Sequence, residues 1–189
     1  MRILTGAYKG RVLRTVKGLS VRPATGRVRQ TVFDILSHRG ALEGSSVLDL
    51  FAGSGSLGIE SVSRGAARVT FVESDPEAVR YLEQNIRMLG CDGNAEILTM
   101  DAMAYAGARR RAFDLVFADP PYRFPGTETL PDVLFRNAFV APDGYLLIEH
   151  TTDLRFEDTP VYCIDTEKRF GRTMVTFLKH RNQTSRTGA

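Results

Sequence analysis

A chain of 189 residues, 43% hydrophobic and 25% charged, has room for one domain with its own core and little more. No apolar run approaches the ~20 residues that a bilayer span needs, and the first 20 residues lack the continuous apolar stretch of a secretory signal. The net charge of +3 hides an asymmetry: residues 1–30 and 168–189 are basic and hold no acid, so all 22 acidic residues lie between them.

Two basic ends around an acidic body imply a polyanion gripped by the ends and not by the whole surface. Lys9, Arg11, Arg22, Arg27 and Arg29 are the candidates for phosphate contacts. Cys91, Cys163, His38, His150 and His180 show no metal-ligand spacing, so no metal is expected. Two thiols fit a reducing, cytoplasmic setting.

Residues 1–26 read as a basic arm or hairpin, with Ile3–Leu4 and Arg11–Thr15 as its apolar pieces. Val28, Val32, Ile35 and Leu36 recur at helical spacing and predict an amphipathic helix over Arg27–Ser37. From residue 46, short apolar runs alternate with amphipathic stretches. Ser46–Phe51 predicts a buried strand, Ser56–Arg64 a helix and Arg68–Glu73 a second strand. Pro76–Leu89 predicts a helix, with Asp75 as its N-cap and Pro76 at its first position. Next come a strand at Ala95–Thr99, a short helix at Ala102–Arg111 and a strand at Phe113–Ala118. A helix over Leu130–Ala138 and a strand over Gly144–Glu149 follow. Strands near Val161–Ile164 and Thr173–Leu178 leave no room for a long helix between them, which predicts an antiparallel hairpin. The organisation is therefore an arm (1–26), one domain (27–180) and a flexible tail (181–189). The fold class is α/β: a mostly parallel sheet with a C-terminal antiparallel hairpin and helices on both faces.

Within Asp49–Gly58, Gly53, Gly55 and Gly58 form G-x-G-x-x-G after a strand and before a helix. Glycine lets the chain turn sharply and lets a ligand lie against the backbone. The bare pattern suits any adenosine cofactor, NAD included. Asp49 separates the candidates. A dinucleotide brings a doubly negative pyrophosphate to such a loop, and no Lys or Arg in residues 47–60 offsets the Asp49 carboxylate. S-adenosylmethionine carries a sulfonium and an ammonium and no phosphate. A charge pair at ~4 Å is worth about 4 kcal/mol at an effective dielectric near 20, with opposite sign for the two cofactors. Asp49 therefore favours the methyl donor, although it could instead cap local backbone donors. Phe51, inside the loop, joins the same contact set. Glu73, some 20 residues past the loop, suits a pair of ribose hydroxyls. Asp101 with Ala102 suits an adenine amino group, and a turn aspartate would account for it nearly as well.

Asp119-Pro120-Pro121-Tyr122 follows the strand Phe113–Ala118, at the edge where open α/β sheets bind ligands. Two prolines stiffen the backbone and remove two N–H donors. An exocyclic amine on a base is a poor nucleophile because its lone pair is delocalised into the ring. Accepting its two hydrogens on Asp119 and on the Pro120 carbonyl localises that pair. Tyr122 can stack on the base, worth ~1–3 kcal/mol.

Asp49–Gly58, Glu73 and Asp119–Tyr122 resemble the Rossmann-like methyltransferases that act on amino groups of bases. Arg22–Phe33 (RPATGRVRQTVF), with Met1-Arg2-Ile3, Lys9-Gly10-Arg11 and Arg169–Thr173 (RFGRT), is similar to the bacterial 16S rRNA guanine-N2 methyltransferase family. The resemblance runs to about Leu178. Ala24 stands where that family usually has threonine, and Gln30 where it usually has glutamate. The resemblance implies an S-adenosylmethionine-dependent monomer that methylates N2 of one guanine in 16S rRNA, presented on an assembling small ribosomal subunit. Three other readings stay open on the residues alone: a nicotinamide-dependent oxidoreductase, an RNA-binding assembly factor with a vestigial site, and an enzyme acting on adenine or cytosine in DNA.

Overall fold

The computed structural model describes residues 1–15, 26–108, 111–122 and 124–181. Arg22, Ala24 and the tail over 182–189 lie outside them. Among the described residues the elements are α1 (Gly26–His38), β1 (Ser46–Asp49), α2 (Ser56–Ser63), β2 (Arg68–Glu73), α3 (Pro76–Leu89) and β3 (Ala95–Thr99). They continue with α4 (Ala102–Gly107), β4 (Phe113–Ala118), α5 (Leu130–Arg136), β5 (Val140–Thr151), β6 (Tyr162–Phe170) and β7 (Thr173–His180).

The described strands form one sheet in the order β3-β2-β1-β4-β5-β7-β6. Pairing is parallel from β3 across to β5, and β7 runs antiparallel between β5 and β6. Strand alternation sends side chains to two apolar layers. Val47, Phe71, Phe117 and Leu147 point into one, with α1, α2 and α3. Leu48, Val72, Val116 and Ile148 point into the other, with α4 and α5. No helix among the described residues is long and apolar enough to cross a membrane.

β2, β3 and β4 match their predicted limits, whereas β1 ends at Asp49, short of the predicted Phe51, because the chain turns there into the glycine loop. The last three strands run longer than predicted. β5 begins at Val140, and a register shift separates its pairing with Phe113 from its pairing with Leu115, which accommodates Pro142. β6 continues to Phe170 through half-exposed and exposed residues, held by its ladder to β7. Helix α4 stops at Gly107, short of the predicted Arg111.

Residues 1–15 of the arm are folded back on the body. Arg2 and Val12 form an antiparallel bridge, and Ile3 and Leu13 are buried in the layer with α1 to α3. Glu60 of α2, itself buried, accepts the amides of Leu4 (2.8 Å) and Thr5 (3.1 Å). Asn85 of α3 accepts the Arg14 amide (2.8 Å) and donates to the carbonyls of Arg14 and Ser54, which joins the arm to the glycine loop.

Candidate functional site

β1 has β2 on one side and β4 on the other, so the connections leave the sheet in opposite directions there. Such a point opens a crevice at the carboxyl ends of the strands. A cavity of about 490 Å³ occupies it, within the range of roughly 300–1,000 Å³ typical of small-molecule sites. Its wall includes Asp49, Phe51, Gly53, Glu73, Asp101, Ala102, Asp119 and Pro121.

The glycines divide their roles. Gly53 lines the cavity. Gly55, at φ 85°, precedes α2 in the left-handed conformation, which glycine tolerates best. Gly58 lets α2 sit on the sheet: a Cβ there would lie 2.2 Å from the Phe71 ring. Its amide donates to Asp49 Oδ2 (2.8 Å).

Glu73 is fixed by three backbone donors, Gly53 N (2.7 Å) on one oxygen and Ser74 N and Asp75 N (2.8 Å each) on the other. A carboxylate has about four lone-pair sites, so one acceptor position remains. Asp75 caps α3 by accepting Glu77 N, and Asp101 caps α4 by accepting Ala104 N (2.8 Å). Asp101 is thus occupied by the backbone of α4 while still lining the cavity.

Burial dominates the electrostatics. Asp49 is pushed up to about 7 by desolvation, opposed by the Gly58 hydrogen bond and helped by the charges of Asp119 and Glu73. Asp119 is raised well above the usual carboxylate range, by desolvation first and by Glu149 second. Asp49, Glu73, Asp75, Asp101 and Asp119 all line the cavity, and no lysine, arginine or histidine does so among the described residues. A cation entering it relieves that concentration of acid; a phosphate adds to it.

Pro120 is buried and Tyr122 is 59% exposed, and neither lines the cavity. Tyr122 stands just outside, with its ring open to solvent. Lys9, Arg11 and Arg27 are exposed. Arg29 requires a correction: it is 2% exposed, and its Nη2 donates to the Arg2 carbonyl at 3.0 Å. Helix α1 turns it inward beside Val28, Val32 and Phe33, so it presents nothing to a phosphate on the surface.

The family model described as "Conserved hypothetical protein 95" matches residues 1–179. The chain belongs to this family. Within similar length, it is 33% identical over 185 residues to "Putative rRNA methyltransferase YlbH" of Bacillus subtilis strain 168, covering 96% of this chain and 100% of that one. It is 34% identical over 185 residues to "Ribosomal RNA small subunit methyltransferase D" of Haemophilus influenzae, covering 96% and 94%. Its fold superposes on the solved structure of "Putative methyltransferase yhhF" from Escherichia coli with a TM-score of 0.87, at 31% identity over 97% and 99% of the two chains. The architecture is the Rossmann-like methyltransferase fold.

Several residues of the family member's cavity had no motif to mark them. Met1 and Thr15 reach the wall because Glu60 and Asn85 dock the arm. Phe124 closes the opposite side, its ring 5.0 Å from that of Phe51, after a turn in which its amide donates to Pro121 O. Glu149 stands beside Asp119 across β4 and β5, and its only sequence signal was a place at a strand's carboxyl end. His150 faces away, bonded to Thr176 Oγ1 and the Thr151 carbonyl.

Proposed function

We propose that this chain is an rRNA methyltransferase that transfers a methyl group from S-adenosylmethionine to the exocyclic N2 of a guanine in 16S rRNA. The reading rests on one observation above all: a cavity lined by five acidic side chains and, among the described residues, by no lysine, arginine or histidine. That chemistry fits a ligand with a sulfonium and an ammonium and disfavours the pyrophosphate of a dinucleotide. The rRNA substrate is supported by relatives bearing that activity in their names along nearly the whole chain. The choice of guanine N2 follows the resemblance of the N-terminal signature.

In this reading Asp49 faces the donor's positive groups, the free acceptor position of Glu73 takes a ribose hydroxyl, and Asp101 with Ala102 borders the adenine. The donor, when bound, supplies an electrophilic methyl group. The chain does the rest. Asp119 and the Pro120 carbonyl accept the two amine hydrogens, which localises the lone pair. Tyr122, outside the cavity, stacks on a base extruded from its helix. Holding both reactants in one geometry supplies most of the acceleration. The substrate is rRNA in an assembling small subunit, and the enzyme acts as a monomer.

Incubation with methyl-labelled donor and small-subunit rRNA, followed by nucleoside digestion, tests the reading. The expected label is on guanine N2. Asp119→Ala should lower transfer by roughly 10²–10⁴-fold, the range of a lost acid–base group, with S-adenosylhomocysteine affinity nearly unchanged. Label on adenine or cytosine would overturn the base assignment. Loss of ligand binding in Asp119→Ala would show that the roles are misassigned.

A further inference from the structure

The parallel register that pairs Ala118 with Ile148 brings Asp119 and Glu149 to the next position on the same face of the sheet. Both residues line a second, small space of about 20 Å³ adjoining the main cavity, enough for about one water. Asp119 and Leu57 belong to both walls. In the reading above Asp119 meets the amine from the main cavity, and Glu149 shares the smaller space with it.

We propose that Glu149 is the terminal proton acceptor of the reaction and acts through Asp119. This rests on the amine-methylation reading above. As the N–C bond forms and the methyl–sulfur bond breaks, the electron pair of the broken bond stays on sulfur. The amine must then lose one proton. That proton moves to an Asp119 oxygen while the proton already held by Asp119 passes to the Glu149 carboxylate. Asp119 ends as it began, Glu149 ends neutral, and the pair's charge goes from −1 to 0. Glu149 is a positioning and proton-accepting partner of Asp119 and does not touch the substrate.

Burial raises both carboxyls, Glu149 to about 7 and Asp119 well above the usual carboxylate range with the charge of Glu149 adding to it, so the pair shares one proton near neutral pH. A base poised near the working pH suits proton transfer. The other charged groups nearby are Asp49 on β1, which adds to the acid field, and Arg29 on α1, which lines the same small space. Arg29 is also under the charge of Glu60 on α2. Val175 on β7, the register partner of Glu149, brings no charge, and Glu167 on β6 accepts from Thr176.

The test is Glu149→Gln, which preserves shape and removes the titratable acceptor, with Glu149→Asp as the conservative companion. In protein without donor, ¹³C NMR of the side-chain carboxyls should show, beside that of Asp49, a second titration near pH 7 that Glu149→Gln abolishes. At saturating donor and rRNA, wild-type kcat should rise with pH and level off above about 7. Glu149→Gln should lower kcat by roughly 10²-fold or more and lose that limb. Glu149→Asp should recover part of both, and S-adenosylhomocysteine affinity should stay within about twofold in each variant. Asp49→Asn should keep the limb, which separates the two acids. A Glu149→Gln enzyme with wild-type kcat and pH profile, or a Glu149 carboxyl titrating in the ordinary range, would overturn the proposal. Failure of the underlying reading looks different: wild-type protein binds S-adenosylhomocysteine yet leaves rRNA unlabelled, and the proton role falls with it.

Discussion

Asp49 shows how one residue changes meaning between sequence and structure. In the sequence it is a charge of −1 that chooses between cofactors. In the fold it is buried, accepts one amide hydrogen bond and is raised to about 7. Its selectivity then depends on pH. A cationic ligand stabilises the ionised carboxylate, so binding below the raised value must expel a proton, and affinity rises with pH until Asp49 is already ionised. By proton linkage the gain approaches about tenfold per pH unit well below the midpoint and vanishes above it. Calorimetric titration with S-adenosylmethionine from pH 5.5 to 8.5 should show this curve, with proton release at the acid end. Asp49→Asn should weaken binding and flatten the curve. An affinity independent of pH in the wild type would remove Asp49 from contact with the ligand's charge.

At the scale of elements, α2 depends on close approach. Gly58 has no room for a methyl group beneath it, because the Phe71 ring and Val69 already fill that space. Gly58→Ala should cost about 1–3 kcal/mol, as over-packing a filled core does, and thermal melting should register it as a lower Tm. An unchanged Tm would mean that α2 can move off the sheet freely. The third glycine of the loop therefore serves packing and the Asp49 hydrogen bond, and only Gly53 of the three lines the cavity. What could be read from the chain follows the same division. β2, α3, β3 and β4 keep their predicted limits because local pattern determines them: apolar runs for the strands, Asp75 and Pro76 for the start of α3. The ends of β5 and β6 are set by ladders to distant partners and carry no local mark. Cavity-lining residues at strand ends were legible through the glycine loop and the diproline turn. Met1 and Thr15 at its wall, and Glu149 beside Asp119, were not, because tertiary packing alone brings them there, and Phe124 follows the diproline turn with no motif of its own. Arg29 misled because charge argued for the surface while its spacing to Phe33 and Leu36 put it on the buried face of α1.

On the scale of the whole molecule, acid and base are segregated. The acids concentrate at the carboxyl edge of the sheet, while Lys9, Arg11 and Arg27 stand exposed on the arm and α1. Residues 1–15 of the arm hold a fixed place, since Glu60, Ser63 and Asn85 bind their backbone at Leu4, Tyr8 and Arg14. Basic side chains held in this way offer phosphates a preformed surface, and each phosphate neutralised releases counterions. For single-stranded RNA the slope of log K against log salt is about −0.7 per contact. Binding to small-subunit rRNA should therefore weaken steeply as salt rises. The double variant Lys9→Ala/Arg11→Ala should make the slope shallower by roughly 1.4, two contacts at that value. Arg27→Ala should change it by about half as much. S-adenosylhomocysteine affinity in the same variants should hold steady, because none of these side chains lines the cavity. A wild-type affinity insensitive to salt would take the arm out of the RNA interface. A steep slope that the variants leave untouched would transfer the interface to other basic residues, Arg169 and Arg172 at the turn between β6 and β7 being the nearest in kind.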